Sequence, residues 1–156
     1  MAGPPAKLMV IASLFDRLTD REPSNSREVL PPEGDQRQAH KASVARDLTN
    51  LLNTCRSEAD IPEEFEYTRE SLAAYGVQDF MTSPMDREAI RRAVERTVRR
   101  FEPRLSRVQV TVVEGGDFTF SFRISGILRA DMGVEPVVYD ADLATESRRF
   151  RVKPGR

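Results

Sequence analysis

The stretch REAIRRAVERTVRRFEPRLSRVQVTV, residues 87–112, changes its repeat part-way along. In its first half Ile90, Ala93, Val94, Thr97, Val98 and Phe101 recur at the three- and four-residue spacing of one helix face, and arginines fill most other positions. Glu88 and Glu95 stand four residues before Arg92 and Arg99, the favoured order for ion pairs along a helix. Just upstream, Ser83-Pro84-Met85-Asp86 reads as a helix start, with Ser83 as N-cap and Pro84 at the first helical position, so a helix is expected over 84–101. Past Pro103, Val108, Val110 and Val112 alternate with Gln109 and Thr111, the two-residue period of a strand. The seam between the two patterns is Glu102-Pro103-Arg104. A residue before proline avoids the helical region, so the helix ends at Phe101 or Glu102.

Glu102 is oddly placed, because a carboxylate at the C-terminal end of a helix meets the negative end of the dipole. Arg99, Arg100 and Arg104 are near enough to neutralise it. Two readings stand side by side. Glu102 and Arg104 form a local ion pair that holds the helix–strand corner, or Pro103 fixes them at the rim of the sheet to engage a partner.

Downstream, Glu114-Gly115-Gly116-Asp117 reads as a turn, and the run from Phe118 through Phe122 to Leu128 as the second arm of a hairpin. A loop over 129–136, a short strand at Val137–Tyr139, a turn at Asp142–Thr145 and a strand at 148–152 are expected to follow. Upstream, Val44, Ala45, Leu48, Leu51, Leu52 and Cys55 make one stripe of a second helix over 38–56. Ser71–Tyr75 reads as a short helix stopped by Gly76. Helices followed by strands predict an α+β fold, with N-terminal amphipathic helices packed on a small, mostly antiparallel C-terminal sheet.

Ahead of these elements, Ile11, Leu14, Phe15 and Leu18 form the apolar face of a short helix over 8–18. So short a helix is marginal alone and must dock, either on this domain or on a partner. Residues 19–37 are polar, carry three prolines and read as a linker. The expected organisation is a flexible arm over 1–37 with its docking helix, then one α+β domain over 38–156.

The chain has 24 Lys and Arg against 25 Asp and Glu, a formal net charge of -1, which lacks the excess of a general nucleic-acid binder. Between Asp86 and Arg107, however, eight arginines face four acids. The aromatic residue among them, Phe101, belongs to the apolar stripe of the helix, and no nucleic-acid partner is expected. The single Cys55 cannot form an internal disulfide, fits a reducing compartment, and reads as a buried packing residue. His40, also single, lies in a polar segment expected to be exposed, and builds neither a zinc site nor a nucleophile–base pair. Gly115-Gly116 lies between strands rather than before a helix, so it is no phosphate loop. No run nears the ~20 apolar residues of a membrane span. Leu8–Phe15 stops at Asp16-Arg17 without a small-residue cleavage site, and is not read as a secretory signal. The expectation is a soluble cytoplasmic protein with no metal, no cofactor and no membrane insertion. Glu102 or Glu114 with Asp117 is the one carboxylate pairing that suggests glycoside hydrolysis. Their spacing fixes no pair, and the chain has no tryptophan for a sugar platform.

Six stretches in order, SLFDRLTD (13–20), SVARDLTNLLNTCR (43–56), SLAAYGVQDF (71–80), REAIRRAVERTVRRFEPRLSRVQV (87–110), FRISGILR (122–129) and EPVVYDADL (135–143), carry a resemblance. Together they resemble the TssE-type baseplate proteins of type VI secretion systems, relatives of the lysozyme-like wedge protein of contractile-tail phage baseplates. The Glu-Pro-Arg tripeptide after an arginine-rich helix is that family's mark. The linker at 19–37 is longer than the family pattern. The resemblance implies a structural subunit without catalytic residues, which sits in the baseplate wedge with TssF, TssG and TssK and helps the contractile sheath start polymerising. It implies a cytoplasmic location in a membrane-docked baseplate. Carried over by position, Glu102, Pro103 and Arg104 are the expected partner-contacting residues, and the face of Leu14, Phe15 and Leu18 is a second docking element. The small sheet is similar to the strand-exchange module of sheath subunits, so an exposed edge is expected to recruit another chain by β-augmentation. The alternative is a lysozyme-like hydrolase of peptidoglycan.

Overall fold

A computed structural model of the chain describes residues 33–56, 64, 65, 67, 68, 71, 74–78, 86–114, 119–130 and 133–155. The expected helix over 8–18, with Leu14, Phe15 and Leu18, and most of the expected linker lie outside the described residues, as do Ser83, Pro84 and Asp117.

Helix α1 (Glu33–Asn53) begins inside the stretch read as linker. Its stripe of Val44, Ala45, Leu48, Leu51 and Leu52 is buried as its spacing predicts. His40 is buried too, against expectation, because it stands one turn before Val44 on the same face. Cys55 departs the other way. The helix ends at Asn53, and Cys55 is exposed in a two-residue strand, β1 (Cys55–Arg56). That strand pairs in parallel with β2 (Val77–Gln78). The turn before β2 fits its sequence: the Ala74 N–H donates to the Ser71 carbonyl at 3.1 Å, and Gly76 has φ +111°.

Helix α2 (Arg87–Phe101) starts three residues later than its sequence suggests. Asp86 is the N-cap, and its carboxylate accepts the Glu88 N–H at 2.9 Å. Ile90, Ala93, Val94 and Val98 are buried, and Thr97 and Phe101 half-buried.

Four strands, β3 (Leu105–Val113), β4 (Thr119–Ala130), β5 (Gly133–Ala144) and β6 (Phe150–Pro154), form an antiparallel meander in sequence order. The fold is α+β, with both described helices before the sheet. β4 and β5 are longer than expected and take in 129–130 and 133–136 of the stretch read as a loop, and the start of the turn read at Asp142. Asp140 and Asp142 alternate with buried Tyr139, Ala141 and Leu143, so their polarity marks the outer face of a one-sided sheet rather than a turn. Pro136 is tolerated because β6 pairs only with Tyr139–Leu143, which leaves β5 a neighbour on one side at that point.

β3 carries a bulge. Between the pairs Ser106↔Ile127 and Gln109↔Ser125 the register slips, and Arg107 adopts φ +51°. The extra residue brings Leu105 and Val108 to the same buried face as Val110, despite their three-residue spacing. Gly126 lies against it, where an added Cβ would sit 3.2 Å from the Ser106 carbonyl oxygen.

The helices and the inner sheet face enclose one core. Leu48, Ile90, Val94, Val98, Val108, Phe122, Ile124 and Tyr139 form part of it. The opposite sheet face is polar, with Ser121 donating to Asp142 at 2.7 Å and Arg123 to Asp140 at 3.1 Å.

Candidate functional site

The seam at Glu102-Pro103-Arg104 folds into a tight corner. Glu102 is the C-cap of α2, and its N–H donates to the Val98 carbonyl at 3.0 Å. The Leu105 N–H closes a turn onto the Glu102 carbonyl at 3.1 Å, and β3 starts there. The Arg104 carbonyl accepts the Arg129 N–H at 2.8 Å, which joins the corner to β4. Pro103 supplies the fixed φ that such a turn needs at its second position, and it is exposed.

The two charges turn inward onto each other. Glu102 is only 4% exposed. Its Oε1 accepts Arg104 Nε at 2.7 Å and the Arg104 N–H at 3.2 Å, while its Oε2 accepts Arg104 Nη2. Arg104 Nη2 also donates to Asp47 Oδ2 on α1 at 2.8 Å. Asp47 in turn accepts Arg46 through its other oxygen at 2.9 Å. A sequence-local ion pair and a link to a helix 57 residues away are therefore the same network. The planar guanidinium suits this double use, since it offers donors in a fixed fork.

The electrostatics follow from that burial. Desolvation opposes the Arg104 charge, but hydrogen bonds and charges from Glu102 and then Asp47 outweigh it and hold its pKa above the usual arginine value. Burial, with Glu102 adding to it and Arg104 opposing it, pushes the Tyr139 hydroxyl up. Burial, then Asp47 and Glu102, does the same to Tyr75. Among the described residues, Arg104 Nη1 and Tyr139 Oη are buried without a hydrogen-bond partner.

Glu102 is thus engaged through both carboxylate oxygens and shut from solvent, a poor position for a general acid. Glu114 lies exposed just past β3, and Asp117 falls outside the described residues, so no catalytic carboxylate pair is assembled among those described. Also among them, no group of three His, Cys, Asp or Glu gathers as metal ligands, and no helix is long and apolar enough to cross a membrane.

The sheet's two outer strands bear on the expected open edge. On β3, Val110 turns its backbone away from β4. Its N–H donates to Glu95 Oε2 at 3.2 Å and its carbonyl accepts Arg91 Nη1 at 3.1 Å. The Val108 carbonyl accepts Arg99 through Nε at 3.0 Å and Nη2 at 2.7 Å. Glu95 joins the two arginines, at 2.8 Å to Arg91 and 2.6 Å to Arg99. A charged ladder at i, i+4 and i+8 on α2 therefore caps the edge. On β6, Asn53 pairs with both the N–H and the carbonyl of Phe150 at 2.8 Å. Thr49 Oγ1 accepts the Val152 N–H at 3.3 Å, and Pro154 has no N–H to offer. Side chains from both helices thus occupy much of the pairing capacity that a bare edge strand would present. By the alternation of an antiparallel ladder Val112 also turns its backbone outward, and no described side chain caps it.

Asp47 and the capping residues Asn53 and Thr49 carry no signal in the sequence beyond a polar back on a helix. For Glu95 and Arg99 the i,i+4 pairing was legible, but not the strand they serve.

Comparison with protein families matches residues 38–132, more than half of the chain, to the family described as baseplate wedge protein gp25. The matched span takes in both α2 and the corner. Searches of curated proteins and of solved structures each return no match. On the strength of the family match, with the helix–corner–strand arrangement inside it, this chain belongs to the baseplate wedge protein gp25 family.

Proposed function

We propose that the chain is a structural subunit of the baseplate wedge of a type VI secretion system, where it helps anchor the baseplate and start polymerisation of the contractile sheath. The observation that carries this reading is the family match across residues 38–132, which includes Glu102-Pro103-Arg104. Its partners in this reading are the wedge subunits TssF, TssG and TssK and the sheath subunits, in a cytoplasmic, membrane-docked assembly.

The corner supports the reading through its rigidity. Glu102, Arg104 and Asp47 tie α2, β3 and α1 to one another and leave Pro103 as the exposed member. In this reading the two charges set the shape of the joint, and Pro103 and its surroundings meet the partner. Strand addition to the sheet enters at Val112, where no described side chain caps β3, and extends inward only if the Arg91–Glu95–Arg99 ladder yields. Leu14, Phe15 and Leu18 of the arm are the second docking element.

The test is co-purification of the full chain with the wedge and sheath subunits, alongside a peptidoglycan zymogram of the purified chain. Recovery of the wedge subunits with a blank zymogram is the expected result. Hydrolysis that disappears in Glu102→Gln or Glu114→Gln overturns it in favour of a cell-wall hydrolase.

A further inference from the structure

The arginines between Asp86 and Arg107 have separate fates. Arg91 and Arg99 cap β3, and Arg104 holds the corner. The Arg87 guanidinium sits 4.6 Å from the centre of the Phe120 ring, and Arg92 reaches the Glu88 carbonyl at 3.4 Å. Arg96 and Arg100, one turn apart on α2, line a groove of about 220 Å³. Arg56 of β1 lines it too, and Ala74, Ala93 and Phe101 add apolar walls. Among the described residues none of these three arginines pairs with a carboxylate.

A helix C-terminus favours Arg100 through the dipole. It accounts neither for Arg96, a turn earlier, nor for Arg56, which arrives from a different element. What brings Arg56 there is the close crossing of β1 and β2. The Val77 N–H donates to the Thr54 carbonyl at 2.9 Å, and a Cβ on Gly76 would fall 2.3 Å from that oxygen. Three guanidinium groups thus gather around one cleft, and no described carboxylate meets them. Guanidinium groups match carboxylates two bonds at a time, and the apolar walls suit a hydrophobic side chain between them.

We propose that this groove is a docking site for an acidic segment of a partner protein, with carboxylates on Arg56, Arg96 and Arg100 and an apolar or aromatic side chain against Ala74 and Ala93. A stacked nucleic-acid base fits less well. Phe101 is engaged by Arg100, 5.2 Å from its ring centre, and by the edge-on Tyr75 ring at 5.4 Å, and the chain as a whole carries a net charge of -1. The site uses none of the corner's charges, so it stands or falls separately from the sheath reading.

The test is fluorescence anisotropy of the full chain with a short labelled peptide in which glutamates flank a phenylalanine, read at low and rising salt. The expected result is binding that weakens with salt and whose Kd rises about tenfold or more in Arg96→Glu and in Arg56→Glu, with Arg96→Lys between them and wild type. Each variant should keep the wild-type thermal unfolding. Absence of binding at low salt, or equal binding by the charge-reversed variants, overturns the proposal. So does tighter binding of a single-stranded oligonucleotide of the same charge. A chain lacking residues 1–32 that binds the peptide about tenfold better gives the groove to the protein's own arm instead, and overturns it as well.

Discussion

Arg104 and Arg96 lie eight residues apart and meet opposite surroundings. Arg104 is folded onto Glu102 and Asp47 behind the end of α2, with 18% of its side chain exposed. Arg96 stands exposed over a groove with two more arginines and no described carboxylate. The difference shows that an arginine-rich helix in this chain serves two ends. One set satisfies the molecule itself, capping a strand and welding a corner. The other set meets no described carboxylate and lines the groove proposed to dock a partner.

That contrast can be broken by substitution. Glu102→Ala leaves Arg104 and Asp47 in a half-dismantled buried network, and Arg104→Ala leaves Glu102 buried and unpaired. Each should lower stability by about 3–5 kcal/mol in chemical denaturation, the range for removing one partner of a buried ion pair. A loss below about 1 kcal/mol for both would mean that the corner is not a weld. Glu95→Ala removes the bridge between Arg91 and Arg99 and the acceptor of the Val110 N–H. It should cost about 1–3 kcal/mol and speed hydrogen exchange at Val110; unaltered exchange there would show that the ladder does not guard the edge.

Tyr139→Phe removes a buried hydroxyl that has no described partner, so it should be neutral or slightly stabilising at neutral pH, within about 1 kcal/mol. Its larger effect comes in alkali. The folded state holds the Tyr139 proton to a higher pH than the ordinary value of 10.0, whereas the unfolded chain releases it near that value. Above pH 10.0 the unfolded state therefore binds fewer protons and stability falls, by up to about 1.4 kcal/mol per pH unit for one tyrosine. Tyr139→Phe should flatten that decline, and an unchanged decline would point to other groups. Arg96→Glu should move stability least, within about 0.5 kcal/mol, because nothing described depends on it. A large loss there would move Arg96 from the docking set to the structural one.

Much of this arrangement was legible beforehand where the information is local. The stripe Ile90–Phe101, the stop at Pro103 and the alternation of Val108, Val110 and Val112 are set by residues close in sequence, and they placed α2, the corner and β3. The ion pair between Glu102 and Arg104 is one of the two arrangements that their spacing across Pro103 allows. What escaped is long-range or one-sided. Asp47 lies 57 residues from Arg104, and nothing in either segment announces the other. Asp140 and Asp142 look like turn residues until the sheet is known to have a solvated face. The burial of His40 follows from its place one turn before Val44, which its polar neighbours in sequence mask. The bulge at Arg107 was visible only as a three-residue gap between Leu105 and Val108, easily lost beside the regular run that follows.

Because the corner charges are buried, the residue that separates contact from scaffold is Pro103. Pro103→Glu puts a charged side chain on the exposed point of the joint and gives up only the backbone restriction of proline, a loss of about 0.4–1 kcal/mol. The most direct measurement is sheath assembly, followed by fluorescence microscopy, in cells whose only copy of this protein carries Pro103→Glu, with folding of the purified variant checked by circular dichroism. A folded variant that assembles few or no sheaths is the predicted result. Normal sheath assembly by that variant, or by cells lacking the protein altogether, would contradict a baseplate joint at Glu102-Pro103-Arg104.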